Sequence, residues 1–377
     1  DSPSNGKLGT LNGTLVRKVT EDEQKNVGYI FSDLTYTEVG SIGLSALETG
    51  VFYSSIEVDG ERGISGKSNI GRFYPHHFKL DSNIWSAVDD QDDVNYMGQP
   101  FKFAEAYVSP YAKGASTPVS NYHLFDPSLV AVFGVAEDED IDNQLILDTG
   151  LGQWGERSSH SQWSLNDYSA YVTKLVSPNG PFNTDDNNSI DSQFGLTISG
   201  EDPVKFYSSN ENETLLTQVL TNQPPVRFGR VDLDDVGGNQ GATLSVPLRV
   251  EYWNGNRFVQ NTDDNGTTID SVLEKQQPIW PNDGSDCTVL LEGNDTVTDG
   301  VTRELSAKQD QNTCNPVGRQ QTRVWLDLDD AANALPWLKY DWDNDGSEEN
   351  PSSVVTFGIH RGNDRVIYRG EPGLTGQ

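Results

Sequence analysis

The feature that most constrains the fold of this chain is an alternation of apolar and polar residues with a period of two. Residues 244–252 show it most clearly, and residues 14–19 and 101–103 repeat it. Successive side chains of a β-strand point to opposite faces, so such a segment forms a strand with one buried face and one exposed face. The pattern therefore predicts β-strands along most of the chain.

Turn-forming dipeptides separate the alternating segments. Asn-Gly or Asp-Gly pairs begin at Asn12, Asp59 and Asn254, and the chain contains 36 glycines and 18 prolines. Such pairs favour the tight turns of antiparallel hairpins. Helical spacing of apolar residues is limited to short stretches near 213–220 and 329–338. We expect an all-β protein of tandem β-sandwich, Ig-like domains with long acidic loops and little helix.

The length of 377 residues favours more than one domain, because a single hydrophobic core seldom organises so many. The stretch around Phe73 to Pro75 and the paired prolines at 224–225 interrupt strand pairing. We therefore expect three β units. They are an N-terminal unit over 1–75, incomplete or sharing a sheet with its neighbour, a middle β-sandwich domain over 76–222, and a C-terminal β domain over 223–377.

Acidic residues dominate the charge of the chain. Lys and Arg total 26 against 57 Asp and Glu, which gives a net charge of −31. This charge repels nucleic-acid phosphates and anionic lipids, and no apolar run reaches the roughly 18 to 20 residues of a membrane span. We expect neither nucleic acid as a partner nor membrane insertion. In so acidic a chain the following arginines are expected to pair with carboxylates across strands or domain borders: Arg72, Arg227, Arg230, Arg249, Arg361 and Arg365.

The two cysteines, Cys287 and Cys314, enclose a polar segment and match no metal-ligand spacing. One disulfide, formed in an oxidising compartment, is the simplest interpretation.

An acidic loop at residues 341–346 (DWDNDG) carries the clearest local signal for a metal. Oxygen ligands at alternate positions and a glycine at the sixth match the first half of a calcium-binding loop, but Ser352 stands where the second half has its bidentate Glu. An acidic Asp-Gly turn is the alternative. The calcium hypothesis makes Asp341, Asp343, Asp345 and Glu349 ligands of a structural Ca²⁺, because clustered aspartates repel one another unless a cation screens them.

Aromatic residues give a weaker indication of ligand binding. Trp154, Trp163 and Tyr168 lie close in sequence to Asn166 and Asp167. A planar ring can stack on the apolar face of a sugar while neighbouring polar groups bind its hydroxyls. A role of the tryptophans in the core is the competing interpretation.

No motif for nucleophilic catalysis is present in the sequence. The chain has five histidines and no Gly-x-Ser-x-Gly elbow, and we expect it not to be an enzyme. The adjacent pair His76 and His77 would point to opposite faces of a strand, which disfavours a shared metal.

Several short segments in chain order resemble the conserved C-terminal region of MshQ-like proteins, which belong to the mannose-sensitive haemagglutinin type IV pilus system of Gram-negative bacteria. They are 36–40 (YTEVG), 71–78 (GRFYPHHF), 96–101 (YMGQPF), 121–122 (NY), 227–230 (RFGR), 246–255 (VPLRVEYWNG), 258–259 (FV), Asn261, 286–288 (DCT), 336–338 (PWL), 341–343 (DWD) and 356–368 (TFGIHRGNDRVIY).

The resemblance implies an extracellular, cell-surface location reached by export across the outer membrane, and it transfers no catalytic residue. We therefore expect a pilus-associated, non-enzymatic surface protein of adhesin or tip type, from a bacterium of a saline, marine habitat. Its expected partners are pilus or other surface subunits, copies of itself, and glycans. The alternatives are a structural subunit that polymerises into an extracellular fibre and, less favoured, a polysaccharide-active enzyme.

Overall fold

The computed structural model describes residues 3–16, 33–47, 50–52, 56–58, 65–86, 94–136, 143–183, 194–200, 203–207, 214–221, 223–281, 287–329 and 333–359. Of the residues that the structure describes, 47% lie in strands and 4% are helical, and these helical residues lie in 3₁₀ turns. This confirms the expected all-β fold. Among the described residues, no helix has the length and apolar character needed to cross a membrane.

The first half of the chain forms strands β1 to β18. Their bounds are β1 Leu11–Asn12, β2 Thr35–Tyr36, β3 Gly40–Leu47, β4 Gly50–Phe52, β5 Ile56–Val58, β6 Ser65–Phe73, β7 His77–Ser86, β8 Asn95–Tyr96, β9 Phe103–Tyr111, β10 Val132–Ala136, β11 Leu145–Ile146, β12 Gln153–Arg157, β13 His160–Asn166, β14 Tyr171–Val172, β15 Gly195–Ser199, β16 Phe206–Tyr207, β17 Thr214–Leu215 and β18 Thr217–Val219.

The second half forms strands β19 to β32. Their bounds are β19 Val226–Arg227, β20 Gly229–Leu233, β21 Val236–Gly238, β22 Leu244–Ser245, β23 Leu248–Trp253, β24 Phe258–Gln260, β25 Thr268–Ile269, β26 Leu273–Trp280, β27 Val289–Glu292, β28 Asp295–Thr296, β29 Val301–Thr302, β30 Ser306–Gln309, β31 Gln320–Leu326 and β32 Ser352–Phe357. Short 3₁₀ helices lie at Tyr122–Leu124, Pro127–Leu129, Thr149–Leu151 and Pro336–Leu338.

Two of the expected helical stretches have a different structure. Residues 214–219 form strands β17 and β18, so the helix expected near 213–220 is wrong. Cross-strand pairing with β16 and β15 overrides the local spacing there. The stretch near 329–338 contains only the short 3₁₀ helix Pro336–Leu338 among its described residues.

The chain divides into two compact units, and each is built from several chain segments. The first unit comprises Asp1–Trp85, Phe103–Ala170 and Asp185–Gln223, and the second comprises Ser86–Lys102, Tyr171–Thr184 and Pro224–Gln377. The division into three β units stays a prediction. Residues 1–75 group with the first unit, whose last segment ends one residue beyond the expected border at 222.

The first unit has the layered arrangement of a β-sandwich. One sheet has the strand order β12-β13-β9-β7-β16-β17, and a second has the order β10-β15-β18. Phe133 on β10 lies 4.7 Å from the Trp163 ring and 5.7 Å from the Phe206 ring, measured between ring centroids. Phe133, Trp163 and Phe206 are buried, so the two sheets meet through an aromatic core.

The core of the second unit follows the period-two pattern of its strands. The sheets have the orders β20-β23-β24, with β29 also paired to β23, β21-β32-β31-β26, and β22-β30-β27. On β31 the side chains of Thr322 and Val324 are buried, whereas Arg323 between them is exposed. Leu248 and Val250 on β23 and Phe357 on β32 join the same core.

A disulfide joins Cys287 to Cys314, whose Cα atoms are 4.5 Å apart. It closes a segment of 27 residues that contains β27 to β30. The predicted pairing of the cysteines is therefore present in the structure.

Candidate metal centre

The acidic loop, residues 341–349, is held at both ends by backbone hydrogen bonds. The Tyr340 N–H donates to the Glu349 carbonyl at 3.2 Å, and the Glu349 N–H donates to the Tyr340 carbonyl at 3.0 Å. These two bonds form an isolated antiparallel bridge. The bridge brings Glu349 back beside the aspartates that begin the loop. Spacing in the sequence alone does not predict this approach.

The Asp341 carboxylate organises the backbone inside the loop. Its oxygens accept hydrogen bonds from the N–H groups of Asp345 and Gly346, both at 3.0 Å. Asn344 and Gly346 have positive φ angles of 60° and 92°. Asparagine and glycine adopt this left-handed conformation most readily, so the DWDNDG sequence is suited to a backbone that curls around a carboxylate.

Four carboxylate groups converge in the acidic loop. One oxygen from each of Asp341, Asp343, Asp345 and Glu349 lies within 4.8 Å of the others. Oxygens on opposite sides of a Ca²⁺ ion are about 5 Å apart, since Ca–O bonds are about 2.3 to 2.6 Å. The four groups therefore have a spacing that fits a single cation. Ser352, the twelfth position of a full calcium loop, already lies in β32.

The environment of the acidic loop shifts the pKa of Glu349. Partial burial raises the pKa of the Glu349 carboxyl, and the negative charges of Asp343 and Asp345 raise it further, whereas the Trp342 N–H opposes the shift. A divalent cation would reverse the sign of the local potential that these aspartates create.

Aromatic residues at the start of the loop pack against Arg230. The guanidinium carbon of Arg230 lies 5.0 Å from the centre of the Tyr340 ring, 4.7 Å from that of Trp342 and 3.7 Å from that of Phe258. Its Nε and Nη2 groups donate to Glu251 Oε2 at 2.9 and 2.8 Å. The ion pair fixes the guanidinium on the sheet, and the rings above it fix the loop.

A buried lysine supports the other side of the acidic loop. Lys174 Nζ lies 2.8 Å from Glu348 Oε1, and the Lys174 side chain is 6% exposed. The ammonium also donates to the carbonyls of Trp337 and Lys339. Burial lowers the pKa of Lys174, and the neighbouring Glu348 carboxylate opposes that shift. These bonds connect the acidic loop to the segment of β14.

The three predicted ligand-binding aromatics have different environments. Trp154 and Trp163 are cross-strand partners on β12 and β13, so the structure brings these two together. Trp163 is buried, whereas the Tyr168 side chain is 64% exposed. Trp154 Nε1 donates to the Ala131 carbonyl at 2.9 Å. Both tryptophans line a cavity of about 440 Å³ in the first unit, and Tyr168 is not among its lining residues.

The histidine pair is arranged differently from the sequence-based expectation. His76 precedes β7, which begins at His77, and their Nδ1 atoms are 3.2 Å apart. The rule that neighbours point to opposite faces applies only inside a strand, so it fails at this boundary. His77 is stacked between Tyr111 and Tyr207, with centroid distances of 5.4 and 4.8 Å. The sequence shows that the two histidines are adjacent, but it does not predict the bend before β7 that brings their Nδ1 atoms together.

Comparison with known proteins assigns the chain to a family. No curated protein and no solved structure matches the chain. The family model described as DUF6701, third domain, matches residues 38–222, and the model described as DUF6701, fourth domain, matches residues 227–372. The acidic loop and the disulfide lie in the fourth domain, and the tryptophan pair lies in the third. Since the two domain models together cover most of its length, the chain belongs to the DUF6701 family and contains the third and fourth domains of that family.

Proposed function

We propose that this chain is a non-enzymatic protein of the bacterial cell surface, and that its acidic loop holds a structural Ca²⁺ ion. The observation that carries the proposal is the convergence of four carboxylate oxygens within 4.8 Å in a loop whose ends are fixed. Oxygen ligands of this kind suit hard cations, and Ca²⁺ accepts the irregular geometry of a loop. The ion would join the aspartates at the start of the loop to Glu349 at its end, without taking part in a reaction.

Three features support a location outside the cell. Disulfides such as Cys287–Cys314 persist in oxidising compartments. The net charge of −31 keeps a protein soluble in saline surroundings. A calcium site with only four carboxylates and an exposed rim suits the roughly 10⁻⁴ to 10⁻³ M affinities of extracellular modules.

The association with a type IV pilus rests on the resemblance of the sequence to MshQ-like proteins. In this proposal the chain is an adhesin or tip-type component of a Gram-negative surface, with pilus subunits, other surface subunits or glycans as partners. Its β-sandwich architecture supports the proposal in one respect, because rigid sheets can present loops at a fixed geometry.

The test is a thermal melt of the full chain in about 10 mM Ca²⁺ and again in chelator. For a dissociation constant of about 10⁻⁴ M, ligand linkage stabilises the folded state by about 2.7 kcal/mol, which corresponds to a rise in Tm of about 5 °C or more. The variant Asp343→Asn/Asp345→Asn should lose this shift. The control Asp299→Asn/Glu304→Gln also removes two exposed acidic groups, but away from the acidic loop, and should keep it.

An equal Tm in Ca²⁺ and in chelator would contradict the calcium site. A shift that persists in Asp343→Asn/Asp345→Asn would show that calcium binds elsewhere. Labelling of intact cells with an antibody against this chain tests the location, and signal only after cell lysis would contradict a surface protein.

A further inference from the structure

The cavity lined by Trp154 and Trp163, here called the aromatic cavity, has the size of a small-molecule site. Its volume is about 440 Å³, and ligand pockets usually measure about 300 to 1,000 Å³. It lies next to the aromatic core of the first unit. Trp163, Trp154, Phe133 and Phe125 form its ring-bearing wall.

These rings are held in place by contacts on their far sides. Trp154 packs on Tyr122 at 4.7 Å and on Phe78 at 5.8 Å between ring centroids. Its indole N–H is already used by the Ala131 carbonyl. Gly152 allows the backbone to touch Trp163, since a Cβ atom at that position would lie 2.0 Å from the indole. The wall is therefore rigid before any ligand arrives, which reduces the entropy lost on binding.

The side chains that line the aromatic cavity carry no carboxylate, ammonium or guanidinium group, which disfavours ionic ligands. Charged residues make up 22% of the chain, yet the residues that line the aromatic cavity include no Asp, Glu, Lys or Arg. Its polar side chains are those of His123, Thr149 and Gln153. A cavity with apolar rings and a few neutral polar groups favours a neutral ligand that has both an apolar face and hydroxyl groups.

A buried serine contacts both the backbone and the ring of His123. Ser161 is fully buried, and its Oγ accepts the His123 backbone N–H at 3.0 Å and lies 2.9 Å from His123 Nδ1. In the tautomer in which Nδ1 accepts a hydrogen bond from the Ser161 hydroxyl, the Nε2–H group is a donor for a ligand oxygen.

We propose that the aromatic cavity binds the pyranose ring of a neutral sugar. Trp154 and Phe125, the partly exposed rings of the wall, contact the apolar face of the sugar ring, and His123, Thr149 and Gln153 bind its hydroxyl groups. The inference deepens the proposed surface function by naming the class of ligand that an adhesin of this type would recognise. It does not depend on the calcium site, which lies in the other family domain.

The experiment titrates the full chain with the methyl glycosides of glucose, galactose and mannose, with glucuronate as a charged comparison. Binding is followed by saturation-transfer NMR and by tryptophan fluorescence, in Ca²⁺ throughout. We expect saturable binding of at least one neutral glycoside and binding of glucuronate that is at least about tenfold weaker.

Two variants locate the site without disturbing the core. Val132 lines the cavity and is 53% exposed on β10, so Val132→Trp adds bulk at the opening. Val176 is 58% exposed and is not part of the lining, so Val176→Trp is the matched control. We expect Val132→Trp to weaken binding at least about tenfold and Val176→Trp to leave it unchanged. Thr149→Ala/Gln153→Ala should weaken it about three- to tenfold through lost hydrogen bonds.

The inference is overturned if no neutral glycoside gives saturable binding, if glucuronate binds equally well, or if Val132→Trp binds like the original chain. Failure here together with a calcium-dependent melt leaves the proposed function standing. Sugar binding together with an unchanged melt in chelator supports the aromatic cavity and contradicts the calcium site.

Discussion

The sequence predicts that six arginines of this acidic chain pair with carboxylates, and the prediction is confirmed for Arg227, Arg230 and Arg249. It is wrong for Arg72, whose Nη2 donates to the Leu129 carbonyl at 3.0 Å, and Arg361 and Arg365 lie outside the described residues. Arg227 pairs with Asp263, Arg230 with Glu251, and Arg249 with both Asp232 and Asp234. The excess of Asp and Glu over Lys and Arg predicts that an arginine has a carboxylate nearby, but not which one. The rings that cover Arg230 were not predicted, because Phe258, Tyr340 and Trp342 come from segments that are distant in sequence.

At the scale of one residue, Arg230→Met should destabilise the protein and loosen the acidic loop. The change removes the 2.8 Å partner of Glu251, whose side chain is 13% exposed, and leaves it only the longer contact to Arg249 Nε at 3.7 Å. It also removes the cation from under Tyr340 and Trp342. We expect a loss of about 2 to 4 kcal/mol in the free energy of unfolding. Chemical denaturation measures it, and calcium titration should show weaker binding.

Arg303→Met is the control for Arg230→Met. Arg303 is exposed, and its substitution should change stability by no more than about 0.5 kcal/mol. Equal stability of Arg230→Met and Arg303→Met would show that the covered ion pair contributes nothing net.

Of the candidate metal-binding and sugar-binding residues, only those close together in sequence could be predicted to lie close together in the fold. The aspartates at alternate positions of the DWDNDG loop were predictable as a group, because the three lie within five residues. The convergence of Glu349 depends on the bridge to Tyr340, which no local pattern encodes. For Trp154 and Trp163, alternation predicts a strand but not which face is buried, and the packing partner Phe133 lies on another sheet.

At the scale of elements, three neighbouring strands of the first unit are connected on one face by a single carboxylate. Asp81 on β7 accepts hydrogen bonds from Ser109 and Tyr111 on β9 and from Gln162 on β13. Such cross-strand bonds hold β7, β9 and β13 in one register. Alternation along the sequence predicted these strands, whereas their order, and therefore this network, depends on long-range pairing.

This network predicts a pH dependence of stability. Burial and the charge of Asp81 raise the pKa of Tyr111 from 10.0 to about 12. Between these values the unfolded chain has lost the Tyr111 proton and the folded protein keeps it, so the free energy of unfolding falls as pH rises from about 10 to about 12. Denaturation of the original chain and of Tyr111→Phe across this range measures the contribution as a difference.

Asp81→Asn provides the second comparison for Tyr111. It removes the charge that helps to keep the phenol protonated, so tyrosinate absorbance should appear at lower pH than in the original chain. If stability differences between Tyr111→Phe and the original chain stay constant from pH 10 to 12, the Tyr111 pKa is not raised.

At the scale of the whole molecule, compact units and stretches of sequence do not coincide. The third-domain family model matches residues 38–222, but Ser86–Lys102 and Tyr171–Thr184 within that range belong to the second compact unit. The paired prolines predict a border near residue 222, and the last segment of the first compact unit ends at Gln223. They could not reveal the two inserted segments, because only tertiary pairing defines them.

The two inserted segments fill positions that residues 224–377 do not fill themselves. Strand β8 pairs in parallel with β19, and Tyr96 on β8 is buried in the core of the second unit. The Tyr96 hydroxyl donates to Asp264 Oδ2 at 2.6 Å, and Lys174 binds Glu348 beside the acidic loop. A fragment that begins at Pro224 therefore exposes part of the core and leaves the 1% exposed Asp264 without this donor.

We therefore expect residues 224–377, expressed alone, not to form a stable domain. Loss of a buried aromatic side chain costs about 3 to 5 kcal/mol, against a total stability of about 5 to 15 kcal/mol. The lost hydrogen bond from Tyr96 adds to this cost, although Asp264 keeps the donors of Gly266 and Thr267. Amide NMR dispersion and a thermal melt, each compared with the full chain, measure the outcome. In the full chain, Tyr96→Phe removes only the hydroxyl, which donates to Asp264 and accepts from Asn261 Nδ2, and it should cost about 1 to 3 kcal/mol. A fragment that melts cooperatively at the temperature of the full chain would mean that the fourth domain folds on its own, and that Ser86–Lys102 and Tyr171–Thr184 only cover a core that is already complete.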